Sequence, residues 1–394
     1  MRPIEETARI DSLDMIRGIS LLGIFLINMM SFHSPFMYYN PYQWWSESGE
    51  SSLYMFLDIF VQASFYPLFA MVFGYGLVIQ RERSLERGVS FLPLGFRRLC
   101  VLLGFGIIHA FLIWSGDILI NYALFGMILL VMLRWSGKIL LILGIVLFFI
   151  PQLLISGLFL LSYFVEPNQM LYFTDMKAVE NAVTAYSTGS FMDIFSQRYK
   201  DWFLVNGPMN LPFLLLSILP MMMIGAGASK LNMLQRARAM KRVWVAILIV
   251  TLTIGIGIKA LPFLIEANYS FAIIQDLLGG PFLSVAYAAI IVLLSMNNVM
   301  NKILRPFAKA GKMSLTIYLS QSIIGTFIFY SYGLGLYGEV TLITGAWLVV
   351  GIFLIQVILA EIWLSRFQYG PMEKLWRTLT YGSTKRRLNN EQTK

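Results

Sequence analysis

The sequence predicts an all-α fold: a polytopic membrane helical bundle of about ten transmembrane helices, with both termini in the cytoplasm. Three observations carry that prediction. Hydrophobic residues make up 58% of the 394-residue chain and charged residues only 13%, about half the roughly 25% of a soluble domain. Mean hydropathy is +0.70. Apolar runs of about 18 residues or more recur along the chain, each able to cross a hydrocarbon core about 30 Å thick. This pattern excludes a soluble enzyme and a disordered chain. The single cysteine, Cys100, excludes an intrachain disulfide scaffold.

The apolar segments fall near 19–38, 53–79, 99–115, 118–133, 139–165, 211–229, 243–264, 279–300, 313–331 and 341–363. The first reads as a retained helix rather than a signal peptide, because residues 31–35, SFHSP, offer no small-x-small cleavage site. The third and fourth are joined only by Gly116 and Asp117 and predict a tight hairpin. Pro212 and Pro220 are expected to distort the sixth. Alternating sides from a cytoplasmic N-terminus puts 26 of the 30 Lys and Arg residues inside; Lys177, Arg198, Lys200 and Lys259 are left out. The positive-inside rule therefore supports an even number of spans.

One membrane domain is expected over 1–382, with a cytoplasmic segment at 1–17. The outside loop at about 166–210 mixes Asp175, Lys177, Glu180 and Asp193 with aromatics and predicts short interfacial or re-entrant helices. Pro371 opens an expected interfacial helix at about 371–380, with Leu375, Trp376 and Leu379 beside Lys374 and Arg377. Residues 383–394 are polar and expected to be disordered. Gly74 and Gly76, and Gly333, Gly335 and Gly338, lack the Lys-Ser/Thr of a phosphate loop; helix crossings or turns account for them.

Ionisable groups in a bilayer cost about 2.5–3.5 kcal/mol on insertion scales, so each is a functional candidate. His109 lies ten residues into its segment, about 15 Å at helical rise and near the midplane, where it suits a general base. Asp117 follows eight residues later. In an unbroken helix that is about 12 Å along the axis, too far for a hydrogen bond unless the backbone turns back; capping of the next helix competes as its role. Asp58, with Gln62 one turn on, is expected to be catalytic, ligand-binding or a buried structural acceptor. His33 is placed near the outer end of the first helix, where an interfacial location or a substrate contact would account for it. Asp14 and Arg17, three apart, can pair at the inner helix entrance or hold a phosphorylated donor. Asn28, Tyr122 and Gln321 are candidate substrate contacts. The ninth segment also carries Thr316, Tyr318, Ser320 and Ser322, which interhelical hydrogen bonding explains. One cysteine and two histidines are too few soft ligands for structural zinc. The basic residues follow loops rather than a groove with stacking aromatics, so nucleic acid is not an expected partner; anionic lipid at the inner face is.

Several stretches then point to a family. DSLDMIRGISLLGIFLIN at 11–28, FYPLFAMVFGYGL at 65–77 and IIHAFLIWSGDILINYALFG at 107–126 resemble YeiB-like bacterial multi-pass membrane proteins, a domain of unknown function. So do GKMSLTIYLSQSIIGTFIFYSYGLGLYG at 311–338 and RFQYGPMEKLWRTLTYG at 366–382. The resemblance implies a location in the bacterial cell membrane. The opening Ser-Leu-Asp-x-x-Arg-Gly is also similar to heparan-α-glucosaminide N-acetyltransferases. That second resemblance implies an acyl group taken from cytosolic acyl-CoA and passed to an acceptor such as a glycan or small molecule, with no permanently bound cofactor. Asp14 and Arg17 would lie on the donor side and His109 would handle the proton, with Asp117 and Asp58 orienting acceptor or imidazole. The His-x-x-x-Asp motif of many acyltransferases is absent. A metabolite transporter and a non-catalytic sensor are the rival expectations; ten helices and intramembrane Asp58 and His109 also suit the transporter.

Overall fold

The computed structural model of the protein describes residues 10–166 and 174–391, and no strand occurs among them. The expected segment 1–17 therefore lies partly, and residues 392–394 wholly, outside the described residues. Eighteen α-helices follow one another. The first six are α1 (Asp11–His33), α2 (Pro41–Trp44), α3 (Ser48–Phe60), α4 (Phe65–Leu85), α5 (Phe91–Ile108) and α6 (Leu119–Met132). Next come α7 (Gly137–Val165), α8 (Met176–Ser187), α9 (Phe191–Asn206), α10 (Leu211–Lys230), α11 (Lys241–Lys259) and α12 (Leu261–Leu264). The last six are α13 (Tyr269–Ile274), α14 (Gly280–Ser295), α15 (Asn298–Lys312), α16 (Ser314–Phe329), α17 (Leu342–Arg366) and α18 (Pro371–Glu391).

Every apolar segment of the sequence has its helix. Among the described residues, eight stretches are long and apolar enough to cross a membrane, and two shorter apolar helices, α6 and α16, accompany them. The second of these eight stretches, Gly49–Leu85, is α3 and α4 around a break at 61–64 where Ala63 takes φ 58°. Pro212 begins α10 rather than distorting it; only Pro220 lies inside. Proline is tolerated in a first turn because the N–H it lacks has no helical partner there.

Helix α1 runs through the middle and packs against α4, α14, α15, α16 and α17; α10 packs against α4, α6 and α7. Between α4 and α10 the crossing is reciprocal: a Cβ on Gly74 would lie 2.0 Å from the Met222 carbonyl oxygen, and one on Gly225 1.9 Å from that of Met71. Between α1 and α15, Gly18 and Gly311 do the same to Phe307 and Asp14. Small residues let backbones meet where lipid supplies no hydrophobic drive between helices. The outward faces stay apolar: Leu154, Leu158 and Leu161 on α7, and Ile249 and Val250 on α11, are more than half exposed. Leucine and isoleucine facing outward along whole helices fit a lipid surface rather than water.

The outside loop holds two helices, α8 and α9, the second opened by a capping box between Ser190 and Asp193. Asp201 of α9 accepts hydrogen bonds from Tyr186 at 2.5 Å, Tyr38 at 2.5 Å and Gln197 at 2.8 Å. Burial pushes the Asp201 carboxyl above the usual range, and these three donors pull it back. This pair of helices closes one end of the bundle. At the other end α18 lies across α5 and α16 and continues beyond the expected stop at 380. Its Glu373 accepts from the N–H groups of Leu315 (2.7 Å) and Thr316 (3.1 Å). It thereby satisfies two unpaired donors in the first turn of α16.

Candidate functional site

The candidate site is made by the way α5 ends. The helix begins at Phe91, eight residues before the expected segment, and passes Arg97 and Arg98 in its second turn. His109 lies eleven residues past Arg98, about 16 Å at helical rise. There the helix widens into a single π turn, His109–Ile113, a feature common at functional sites. Trp114 is extended, and its N–H closes the turn onto the His109 carbonyl at 2.7 Å. The chain then reverses within four residues. Helix α6 has 14 residues, about 21 Å, too short to cross alone. The reversal therefore lies inside the bundle, beneath α9.

That reversal overturns the expected separation of His109 and Asp117. Asp117 Oδ1 is 2.8 Å from His109 Nδ1, with both side chains fully buried. Asp117 also caps: its Oδ2 accepts the N–H of Ile120 at 2.8 Å. The two roles that competed at sequence level are both filled, one by each oxygen. On the far side of the ring, His109 Nε2 is 2.8 Å from Ser322 Oγ on α16. A carboxylate accepts only, so Nδ1 carries the proton toward Asp117; a ring with that single proton accepts at Nε2 from Ser322, whose hydroxyl also reaches the Tyr318 carbonyl at 3.4 Å. Asp117, His109 and Ser322 form one buried chain in the order carboxylate, imidazole, hydroxyl, the geometry that activates a serine oxygen.

The neighbours fix this chain. Trp114 packs on Phe32 with ring centroids 4.2 Å apart, and Tyr318 on His109 at 5.0 Å. Tyr318 also donates to the Gly116 carbonyl at 3.2 Å. Arg198 of α9, wholly buried, donates from Nη1 to the Phe111 carbonyl at 2.9 Å, inside the π turn.

From the other end a cavity of about 240 Å³ reaches toward the same place. Arg17, Arg98, Lys312 and Arg377 line it, with Tyr122 and Tyr318 deeper in. Glu373 is its one lining carboxylate, pushed up by burial and held down by Thr316 and the Leu315 N–H. Arg17 pairs with Asp14 at 2.9 Å, as the spacing predicted. Arg98 lies over the Trp376 ring, 3.6 Å from its centre, and Trp376 Nε1 donates to the Arg98 carbonyl. Four cations around one mouth suit an anion with several phosphates. Neither His109 nor Ser322 lines this cavity; the Tyr318 ring stands between.

Asp58 belongs elsewhere. Its Oδ2 accepts from Gln275 at 2.8 Å and from Tyr42 at 3.0 Å, so it orients neither His109 nor Asp117. Gln62, expected on its face one helical turn later, lies in the α3–α4 break and bonds Asp276 at 3.4 Å. Buried Lys259 pairs with Asp276 at 2.9 Å. His33, the last residue of α1, is buried in protein: it is 1% exposed, packed on Phe329 and against Gly345. Gln321 bonds Gln356 at 3.1 Å across to α17; the residue that meets His109 is its neighbour Ser322. Tyr122 donates to the Tyr66 carbonyl at 2.7 Å. Asn28 is half-buried and bonds to none of these groups.

Sequence reasoning missed Ser322, Arg98, Gln275, Asp276 and Lys259. Ser322 was in view but grouped with structural hydroxyls, and nothing local marks which hydroxyl of a helix faces a histidine 213 positions away. Lys259 was visible by the intramembrane-charge argument and was set aside as an end residue. Among the described residues, no three His, Cys, Asp or Glu side chains are grouped to hold a metal.

Comparisons with known proteins agree with this architecture in extent and are silent on chemistry. Residues 228–383 match the family model described as "Protein of unknown function (DUF418)". The chain is 35% identical to "Uncharacterized protein YxaH" of Bacillus subtilis (strain 168), over 97% of this chain and 96% of that protein. It is 29% identical to "Uncharacterized protein YeiB" of Escherichia coli (strain K12), over 94% of this chain and 95% of that one. It is 25% identical to "Uncharacterized 39.9 kDa protein in amylase 3'region" of Bacillus acidopullulyticus, over 97% and 96%. With end-to-end likeness to YxaH and YeiB and a helical bundle built for a membrane, this chain belongs to the DUF418 family.

Proposed function

We propose that this membrane-helical protein is an acyltransferase of the bacterial cell membrane, with both termini in the cytoplasm and acyl-CoA as donor. One observation carries the reading: the buried Asp117–His109–Ser322 chain, standing one aromatic ring away from a cavity with four cations at its mouth. The cations hold the donor's phosphates by charge. The same basic end suits anionic lipid headgroups. The thioester extends past Tyr122, and Tyr318 swings to admit it.

Ser322 Oγ attacks the thioester carbonyl while His109 Nε2 takes its proton. The carbon–sulfur bond breaks and the thiolate leaves as the thiol with that proton. In the second half an acceptor hydroxyl or amine, on a glycan or small molecule, attacks the Ser322 ester. His109 takes the acceptor's proton and returns it to Ser322 Oγ. Asp117 holds the imidazole in the required tautomer and offsets the charge it gains.

The test is thermal stabilisation of purified protein by free CoA, acetyl-CoA and longer acyl-CoAs. Saturable stabilisation is expected in the wild type and in His109→Ala, and is weakened in Arg17→Ala. Thioester consumption is expected in the wild type only. Absence of both binding and consumption for every acyl-CoA would overturn the reading in favour of transport.

A further inference from the structure

A second cavity, of about 420 Å³, opens beyond the end of α1 opposite Arg17. Asp58, Gln62, Gln275 and Asp276 form its polar wall, and Tyr39 and Tyr54 part of its aromatic wall. Hydrogen-bond accounting defines what it lacks. Each donor group of the polar wall is engaged within it. Gln275 Nε2 goes to Asp58 and Tyr42, Gln62 Nε2 to Asp276, Lys259 Nζ to Asp276, and the Tyr42 hydroxyl to Asp58. The acceptors are not. Gln275 is 1% exposed and its Oε1 has no partner, and Gln62 Oε1 is likewise buried without one. Both bonds to Asp58 go to Oδ2 and leave Oδ1 open. Two carboxylates against one lysine leave the cluster one negative charge in excess.

Buried acceptors without donors are costly, and a net charge in an aromatic-walled cavity more so. A ligand that relieves both must donate several hydrogen bonds and carry one positive charge. We propose that this cavity is a binding site for a small primary ammonium compound. The ammonium bridges Asp58 Oδ1 and the two open amide oxygens, and the aromatic wall receives its flank by cation–π attraction. The inference stands apart from the acyl-transfer reading, because the cavity contains no residue of the Asp117–His109–Ser322 chain.

Ammonium groups reach such a site from free amines or from phosphatidylethanolamine headgroups. The experiment uses the full chain in nanodiscs of phosphatidylglycerol or of phosphatidylethanolamine. Ethanolamine and glucosamine are titrated by thermal shift, with ethylene glycol and glucose as neutral counterparts. If free amines are the source, they stabilise the wild type saturably in phosphatidylglycerol while the neutral pair does not. If the headgroup is the source, phosphatidylethanolamine itself raises the melting temperature and added ethanolamine adds nothing. In either case Asp58→Asn weakens the response at least tenfold. Gln62→Met, which removes one open acceptor without touching Asp58, weakens it several-fold. Equal response to the neutral compounds, no response to any amine or headgroup, or an unchanged response in both variants would overturn the proposal.

Discussion

Asp117→Asn should reverse the tautomer of His109. The wild-type carboxylate accepts at both oxygens, from His109 Nδ1 at 2.8 Å and from the Ile120 N–H at 2.8 Å. Asparagine offers one acceptor and one NH₂ donor. If its oxygen keeps Ile120, the NH₂ faces Nδ1, which must then give up its proton. The proton moves to Nε2, and Ser322 changes from donor to acceptor. The variant exchanges a charge-assisted bond of about 1.5–3 kcal/mol for a neutral one of about 1, a net loss on the order of 1–2 kcal/mol. The effect on an activated serine is far larger, about 10⁴-fold in the serine-protease precedent. The assay need not know the substrate. The chain has only two histidines, His33 and His109, so ¹⁵N-histidine labelling yields two imidazole spectra. The wild type should show the His109 proton at Nδ1, and Asp117→Asn should show it at Nε2. The same tautomer in both proteins would refute the reasoning.

Other consequences follow from separate parts of the molecule. Gly225→Ala places a Cβ 1.9 Å from the Met71 carbonyl and should cost about 1–3 kcal/mol by forcing α4 and α10 apart. Gly157→Ala on α7 meets nothing within 4 Å and should be neutral or gain up to about 1 kcal/mol from helix propensity; melting temperatures of both variants compare them. Burial raises the Glu373 carboxyl above its ordinary 4.5. The folded state then holds its proton longer than the unfolded chain, so stability falls as pH rises from 4.5 toward the folded pKa. Wild type should therefore lose stability relative to Glu373→Gln over that window in parallel melts. A wild type that gains instead would show the carboxylate form to be favoured. Arg17→Ala should weaken CoA binding and lower its salt dependence, measured by titration at two ionic strengths.

What the sequence revealed, and what it concealed, divides by the range of the interaction. The helices were legible because length and apolarity are local properties: all ten expected apolar segments have helices in the structure. Their starts were less so. Helix α5 begins at Phe91 and the stretch Tyr269–Ser295 begins ten residues before the expected 279, since Arg97 and Arg98 in one, and Gln275 and Asp276 in the other, interrupt the apolar run after the helix has begun. For Gly74 the sequence excluded a phosphate loop and left a helix crossing or a turn; the structure shows the crossing. The Asp14–Arg17 pair was legible from i,i+3 spacing alone. The His109–Asp117 contact was not. Straight-helix arithmetic held them about 12 Å apart, and a single π turn with an extended Trp114 removed that distance. Asp58 was rightly marked as unusual, yet its partner Gln275 lies 217 residues away on another helix. Gln321 and Ser322 stand one residue, about 100°, apart around a helix, and only the position of α16 against the π turn decides which of them meets His109.

The most direct test of the central claim is mass spectrometry of the protein after brief exposure to acetyl-CoA without acceptor. The account predicts an acetyl ester on the peptide bearing Ser322, absent from Ser322→Ala and His109→Ala and discharged when an acceptor is added. Acetylation of another residue, or turnover of acetyl-CoA that Ser322→Ala leaves unchanged, would contradict it.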